Sequence, residues 1–118
     1  MKSNPVVILI AAVLFALFSP ADAQIYLSDK DIYDDAEEYR DAEEFVEALP
    51  LYLLLEKKDL LNANISYKIG QCYLNIRGKK DKAIPYLESA VKNVSSDFEE
   101  SFYEPRAPLK ALLLLGVA

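Results

Sequence analysis

The chain repeats itself, and this restricts its fold more than any other property it has. Ala48-Leu49-Pro50 recurs as Ala83-Ile84-Pro85 35 residues later, while Ala36 and Tyr39 map onto Gly70 and Tyr73 34 residues later. A single insertion in the turn around Arg77-Gly78-Lys79 accounts for the one-residue difference. A period of this length is one supersecondary unit. It is too small to bury its apolar face alone, so each copy must stack on the next.

The central copy is the clearest. Ile65, Ile69, Cys72, Tyr73 and Ile76 fall on one face of a predicted α-helix. Gly78 stands where a left-handed C-terminal cap is wanted, and Asp81 is placed to cap the following helix. In that second helix Ala83, Ile84, Leu87, Ala90, Val91 and Val94 form the predicted buried stripe. Gly70, Ala83 and Ala90 are small enough to let paired helices approach closely. Pro85 is read as lying near the helix start, where a missing backbone donor costs little.

The first copy runs from about Ser28 to Leu55. Ser28 and Asp31 are spaced as a capping box. Ala36, Tyr39, Phe45, Ala48, Tyr52 and Leu55 take its landmark positions, and Leu51 to Leu55 is apolar nearly all round, as a helix between neighbours should be. Asp29, Asp31, Asp34, Asp35, Glu37, Glu38, Asp41, Glu43, Glu44 and Glu47 crowd this segment. They read as a solvated helix face.

Past Asn93 the period breaks. Gly116 matches Gly70, but at a spacing of 46. Pro105 and Pro108 forbid a continuous helix through the excess, which is predicted to be a long loop with at most a short helical turn. Loops of this length within compact repeats are more often functional than ordinary connections are. Leu109 to Ala118 then reads as the first helix of a third copy, with Gly116 at its small landmark. The expected organisation is an all-α fold of about two and a half copies in a short right-handed solenoid. Copy 1 covers 28–58, copy 2 covers 62–95, the loop covers 96–108 and a truncated copy 3 covers 109–118. An uncovered apolar helix at the end reads as the amino-terminal piece of a longer protein.

The first 23 residues belong to a different category. Lys2 gives a positive start, Val6 to Phe18 is an unbroken apolar run, and Ala21 and Ala23 supply the small residues of a cleavage site. The run is short for a bilayer span, which needs roughly 20 residues. The expectation is a signal-peptide helix over 1–23, export to the periplasm or outer membrane, and a mature region of 24–118.

Composition then removes function classes. The net charge is −6, and the signal segment carries one Lys and one Asp, so the mature region keeps that value. An acidic chain offers no basic field for nucleic acid. One cysteine, Cys72, forms no internal disulfide and falls on the predicted core face. With no His, imidazole catalysis and the usual zinc sites are excluded. Asp29-Lys30-Asp31 fails as an EF-hand, because the sixth position is Asp34 and the twelfth is Arg40. Asn64-Ile65-Ser66 and Asn93-Val94-Ser95 match the glycosylation acceptor pattern, but lie in or beside helices. The expectation is a non-enzyme with no cofactor and no metal.

A period near 34 with small and aromatic landmarks is the pattern of the tetratricopeptide helix–turn–helix unit. Asn64 to Leu74, Lys82 to Ser95, and Ala107-Pro108 before a Leu-Gly helix further resemble the amino-terminal tetratricopeptide regions of Bacteroidetes-type cell-envelope proteins. The resemblance implies a downstream TolB-like β-propeller and a peptidoglycan-binding OmpA-like domain, so peptidoglycan association would belong to those parts. It also implies that the first helices line a concave groove for envelope proteins or peptides. The groove positions are then Lys30, Tyr33, Glu37, Arg40 and Asp41 in copy 1, and Asn64, Tyr67, Gln71, Leu74 and Asn75 in copy 2. The supporting repeat signature is Ala36, Tyr39, Ala48, Gly70, Tyr73, Ala83, Leu87, Ala90 and Gly116. A noncatalytic interaction module is the leading expectation, and a spacer holding the downstream domains is the rival.

Overall fold

A computed structural model describes residues 28–118, so the signal segment expected over 1–23 lies outside the described residues. Those residues are mostly helical. Helix α1 spans Asp29–Asp41, α2 Phe45–Glu56, α3 Ala63–Leu74, α4 Lys80–Ala90 and α5 Lys110–Val117. After α4 the chain makes a 3₁₀ turn, Val91–Asn93. Strands β1 (Val94–Ser95) and β2 (Ala107–Pro108) then pair in parallel, Val94 against Ala107 and Ser95 against Pro108. Each helix packs mainly against its neighbours in sequence.

The capping box at the start of α1 forms as read from the sequence: the Asp31 amide donates to Ser28 Oγ at 3.1 Å, and the Ser28 amide donates to Asp31 Oδ2 at 3.3 Å. The same helix ends in a Schellman motif. The Glu43 amide donates to the Arg40 carbonyl at 2.9 Å and the Glu44 amide to the Tyr39 carbonyl at 2.8 Å. Glu43 consequently sits at φ 58°, and Gly78, 35 residues on, at φ 78°. The turn geometry therefore repeats in the same register as Ala48 and Ala83, although only the second copy places glycine there.

Two clusters of buried side chains make the core. One joins α1, α2 and α3 through residues such as Ile32, Ala36, Tyr52, Ile69 and Cys72. The other joins α3, α4, β2 and α5 through Tyr67, Ala83, Leu87, Ala107 and Ala111. Helix α3 belongs to both, and every residue from Ala63 to Gly70 is buried. Small residues make this possible. A Cβ added at Gly70 would meet Leu87 Cδ2 at 2.6 Å, so α3 and α4 are already in contact at that point. Cys72 is fully buried, and that burial pushes its thiol up to about 12. A thiol in that state is packing rather than a nucleophile.

Several expectations are corrected. Asp81 does not cap α4: Lys79 is the N-cap, without a side-chain bond, and Asp81 lies in the first turn, where its charge favours the helix dipole. Gly78 is left-handed but stands beyond the α3 cap residue, Asn75. Pro85 and its counterpart Pro50 are each the sixth residue of a helix, past the turn whose donors are free. The carbonyls they leave unbonded belong to Asp81 and Val46, both exposed residues. Tyr39 is 39% exposed, whereas Tyr73 is half-buried with its ring 5.7 Å from Tyr86. Leu51 occupies the position of Tyr86 in the first copy, so Tyr39 has no aromatic partner among the described residues. A Cβ added at Gly116 would meet no atom within 4 Å among the described residues, so the glycine serves no close approach there. The buried stripe of α4 stops at Ala90, because Val91 and Val94 have left the helix. Leu51, Leu53 and Leu54 are not fully buried; only Tyr52 and Leu55 of that run are.

Replacing Glu43 by glycine should relieve the cost of the left-handed residue, which for an L side chain is roughly 1–2 kcal/mol. Against it works the greater entropy of glycine in the unfolded chain, of about 0.5–1 kcal/mol. Glu43→Gly is therefore expected to stabilise the chain by about 0.5–1 kcal/mol, read as a higher urea midpoint at unchanged slope.

Candidate functional site

Helices α1 and α3 lie side by side, and three polar pairs join them. Asn64 Nδ2 donates to Tyr33 Oη at 3.5 Å, Lys68 Nζ pairs with Glu37 Oε1 at 2.7 Å, and Arg40 Nη1 donates to Gln71 Oε1 at 3.1 Å. Each pair is separated by 31 residues, and the steps along each helix are four and three. That spacing is one face of an α-helix, and the constant offset makes the two helices parallel. Tyr33, Glu37, Arg40, Asn64 and Gln71 are thus brought together on one face.

The face they form is not open along its length. The segment between β1 and β2 folds back over it. Glu100 Oε1 accepts from Tyr33 Oη at 3.0 Å and pairs with Lys68, and it stands 3.6 Å from Arg40 Nη2. Phe102 meets the Tyr33 ring edge-on at 5.7 Å between centroids. Main-chain atoms take part too. The Ser101 carbonyl accepts from Asn64 Nδ2 at 3.5 Å, and the Pro105 carbonyl accepts from the Ala63 amide at 2.9 Å. Ala63 is the first residue of α3, and its amide has no carbonyl to bond within the helix.

The segment has its own internal frame. Glu104 accepts from the amides of Arg106 and Glu99 at 3.0 and 3.3 Å, and from Arg106 Nε at 2.7 Å. Arg106 Nη1 in turn donates to Ser95 Oγ at 3.0 Å, beside the strand pairing that closes the base. The Arg106 bonds hold the Glu104 carboxyl down at about 2. The loop is therefore a compact Ω-type segment.

Lys68 is the centre of the electrostatics, since its side chain is 0% exposed and it contacts two carboxylates. Its ammonium also lies 5.4 Å from the Tyr33 ring centroid. Burial works to raise the Glu37 pKa. The hydrogen bonds from Arg40, the charge of Lys68 and the Tyr52 hydroxyl at 2.5 Å outweigh it and hold Glu37 at about 2. Burial, and then the neighbouring Glu37, push the Tyr52 hydroxyl upward. Glu37 therefore stays ionised at neutral pH, and the site is suited to holding a carboxylate between two cations.

The remaining expected groove residues divide. Tyr67 turns away into the core against Ala83 and Ala107, because one residue step on a helix rotates it about 100° from Lys68. Tyr33 and Asn64 are buried beneath the loop instead of standing open. Leu74 packs against the second core cluster. Asp41 is exposed 3.7 Å from Arg40, and Asn75 caps α3 with Nδ2 donating to the Gln71 carbonyl at 2.8 Å. Lys30 pairs with Asp34 at 2.7 Å on the outer surface of α1 and takes no part in the cluster. The accessible end of the face is thus Arg40, Asp41, Gln71 and Asn75. Lys68 and Glu100 stand outside the expected set, yet their ion pair lies at the centre of the site. The signal for Lys68 was its being the only charged residue of α3, opposite an acidic helix.

Comparison with protein families, curated proteins and solved structures returns no match for this chain.

The depressed Glu37 carboxyl makes an acid limb in stability. Its folded value, about 2, lies below the ordinary 4.5. Its contribution is therefore complete above pH 4.5 and is lost as the pH falls toward 2. The difference corresponds to at most about 3 kcal/mol. Urea midpoints should fall between pH 5 and pH 2.5, and Glu37→Gln should flatten that fall; an unchanged slope in the variant contradicts the assignment.

Proposed function

We propose that this chain is a noncatalytic interaction module of an exported bacterial envelope protein. Its repeats are of the tetratricopeptide type, about two and a half in a short right-handed solenoid. It assembles or positions an envelope complex by holding protein or peptide segments against the face of α1 and α3. One observation carries the reading: that face already holds a non-helical chain segment, through side-chain, ring and main-chain contacts at once. Such a combination suits recognition of an extended backbone. The repeated turn at Glu43 and Gly78 supports the repeat class, and the pattern of Lys2, Val6 to Phe18 and Ala23 supports export.

A second reading is favoured by the same loop. Because 96–106 covers much of the face, the repeats also suit a spacer that sets the distance to a downstream propeller and OmpA-like domain. Any peptidoglycan association then belongs to that downstream domain.

The two separate by crosslinking capture from envelope extract. Gln71→Ala combined with Asn75→Ala alters the accessible end of the face; it removes the Gln71 bond to Arg40 and leaves Lys68, Glu37 and Glu100 in place. The interaction module predicts that captured partners fall about fivefold or more, as the loss of roughly 1 kcal/mol at a contact residue requires. Unchanged capture, with function lost only when a helix pair is deleted, would establish the spacer.

A further inference from the structure

Resting on the interaction reading, we propose that Glu99–Tyr103 is an in-chain occupant of the groove, displaced by an extended peptide bearing a carboxylate side chain two residues before an aromatic one.

The first support is a charge count. Lys68 and Arg40 are two cations, and the helices supply one half-buried counter-ion, Glu37, at 2.7 Å from each. Asp41 is 3.7 Å from Arg40 and exposed. Glu100 provides the second carboxylate. If the loop leaves, a buried ammonium and a guanidinium share one anion, which is costly in a poorly solvated site. Whatever replaces the loop must bring a carboxylate to the same place.

The second support is an orphaned acceptor. Asn64 is 1% exposed, and its Oδ1 has no hydrogen-bond partner among the described residues. Exchanging its oxygen and nitrogen would turn the oxygen toward the Ser101 carbonyl, itself an acceptor, so the orientation stands. The loop therefore satisfies only the amide donor of Asn64, and at the long distance of 3.5 Å. An extended peptide presents carbonyl and N–H in alternation and can satisfy both. A different occupant that donates to Asn64 Oδ1 would remove the cost of leaving that atom without a partner.

The third support is how the segment is attached. Its base is held by the β1–β2 pairing and by Glu104 with Arg106, apart from the α1–α3 face. Glu100 is 48% exposed although its carboxylate is engaged. A cavity of about 290 Å³, lined by Phe102, Tyr103, Ile65 and Leu55 among others, lies beside the aromatic end. The tip, together with the Pro105 contact to Ala63, can thus withdraw while the β1–β2 pairing stays closed, and the cavity accepts an aromatic ring. The tethered occupant competes at an effective concentration of the millimolar order, so it lowers the apparent affinity for a free peptide.

The test uses a fluorescent peptide of sequence Phe-Glu-Glu-Ser-Phe-Tyr-Glu-Pro, copied from 98–105, titrated with the full chain and with its Glu100→Gln/Phe102→Ala variant. The variant should bind at least about tenfold more tightly. A peptide with its second Glu replaced by Gln should lose about tenfold on the same variant, and binding should weaken with salt. A variant with unchanged helical circular dichroism that binds no tighter than the parent overturns the proposal. Should the variant unfold, the parent chain is titrated with the peptide to millimolar concentration and its Phe102 ring resonances are followed by NMR. Movement of those resonances toward the free-loop position supports displacement; saturation without movement overturns it. Peptide binding without Gln71-dependent envelope capture refutes the interaction reading alone. Capture without peptide binding refutes the in-chain occupant alone.

Discussion

A single ammonium group, on Lys68, governs how this molecule is put together. It is out of contact with water, and it finds its counter-charges on two different parts of the chain, Glu37 in α1 and Glu100 in the loop after β1. A buried charge without partners is far more costly than the net gain of making the pair. The positions of α1, α3 and the loop are therefore coupled: none can move alone without stranding Lys68. An apolar residue at this place would fill the space as well, but it would not dictate which loop atom lies above it. Arg40 and Tyr33 extend that control to either side of the ammonium.

The demand for a charge at the centre of the site meets an opposite demand from the core. Helix α3 is covered by α1 and α2 on one side and by α4, β2 and α5 on the other. It has room for large side chains only where a neighbour is small. Gly70 faces Leu87, while Tyr67 fills the space among Ala83, Ala107 and Ala111. The polar residues of α3, Asn64, Ser66 and Lys68, are buried too. Their bonding must come from neighbouring segments, and the loop provides part of it. Fold and site are thus built from the same helix, on different faces.

What was legible in the sequence follows from periodicity. The phase of Ala36, Ala48, Gly70 and Ala83 locates the helix pairs, because small residues recur where helices touch. The same phase brings Tyr33, Glu37, Arg40, Asn64 and Gln71 to one face. It fails by one residue at Tyr67, since a step of about 100° is the difference between the groove and the core, and adjacent residues both suit an interface. The loop contacts were illegible for a deeper reason. Glu100 and Phe102 lie outside the repeat, and nothing in a local pattern states which of ten or more acidic residues will return to meet Lys68. Most of the acidic run is solvated, as its density suggested; Glu37 is the exception because two cations and Tyr52 converge on it.

The most direct test of the docked loop is the exchange rate of one backbone amide. The Ala63 N–H begins α3 and has no bond within the helix; its partner is the Pro105 carbonyl at 2.9 Å. Hydrogen exchange by NMR therefore reads loop docking separately from helix formation. The account predicts an Ala63 amide slowed by about 100-fold or more relative to an unstructured peptide, and faster in Glu100→Gln while the Ile69 amide stays protected. An Ala63 amide exchanging at the unstructured rate in the unaltered chain, with Ile69 protected, would contradict it.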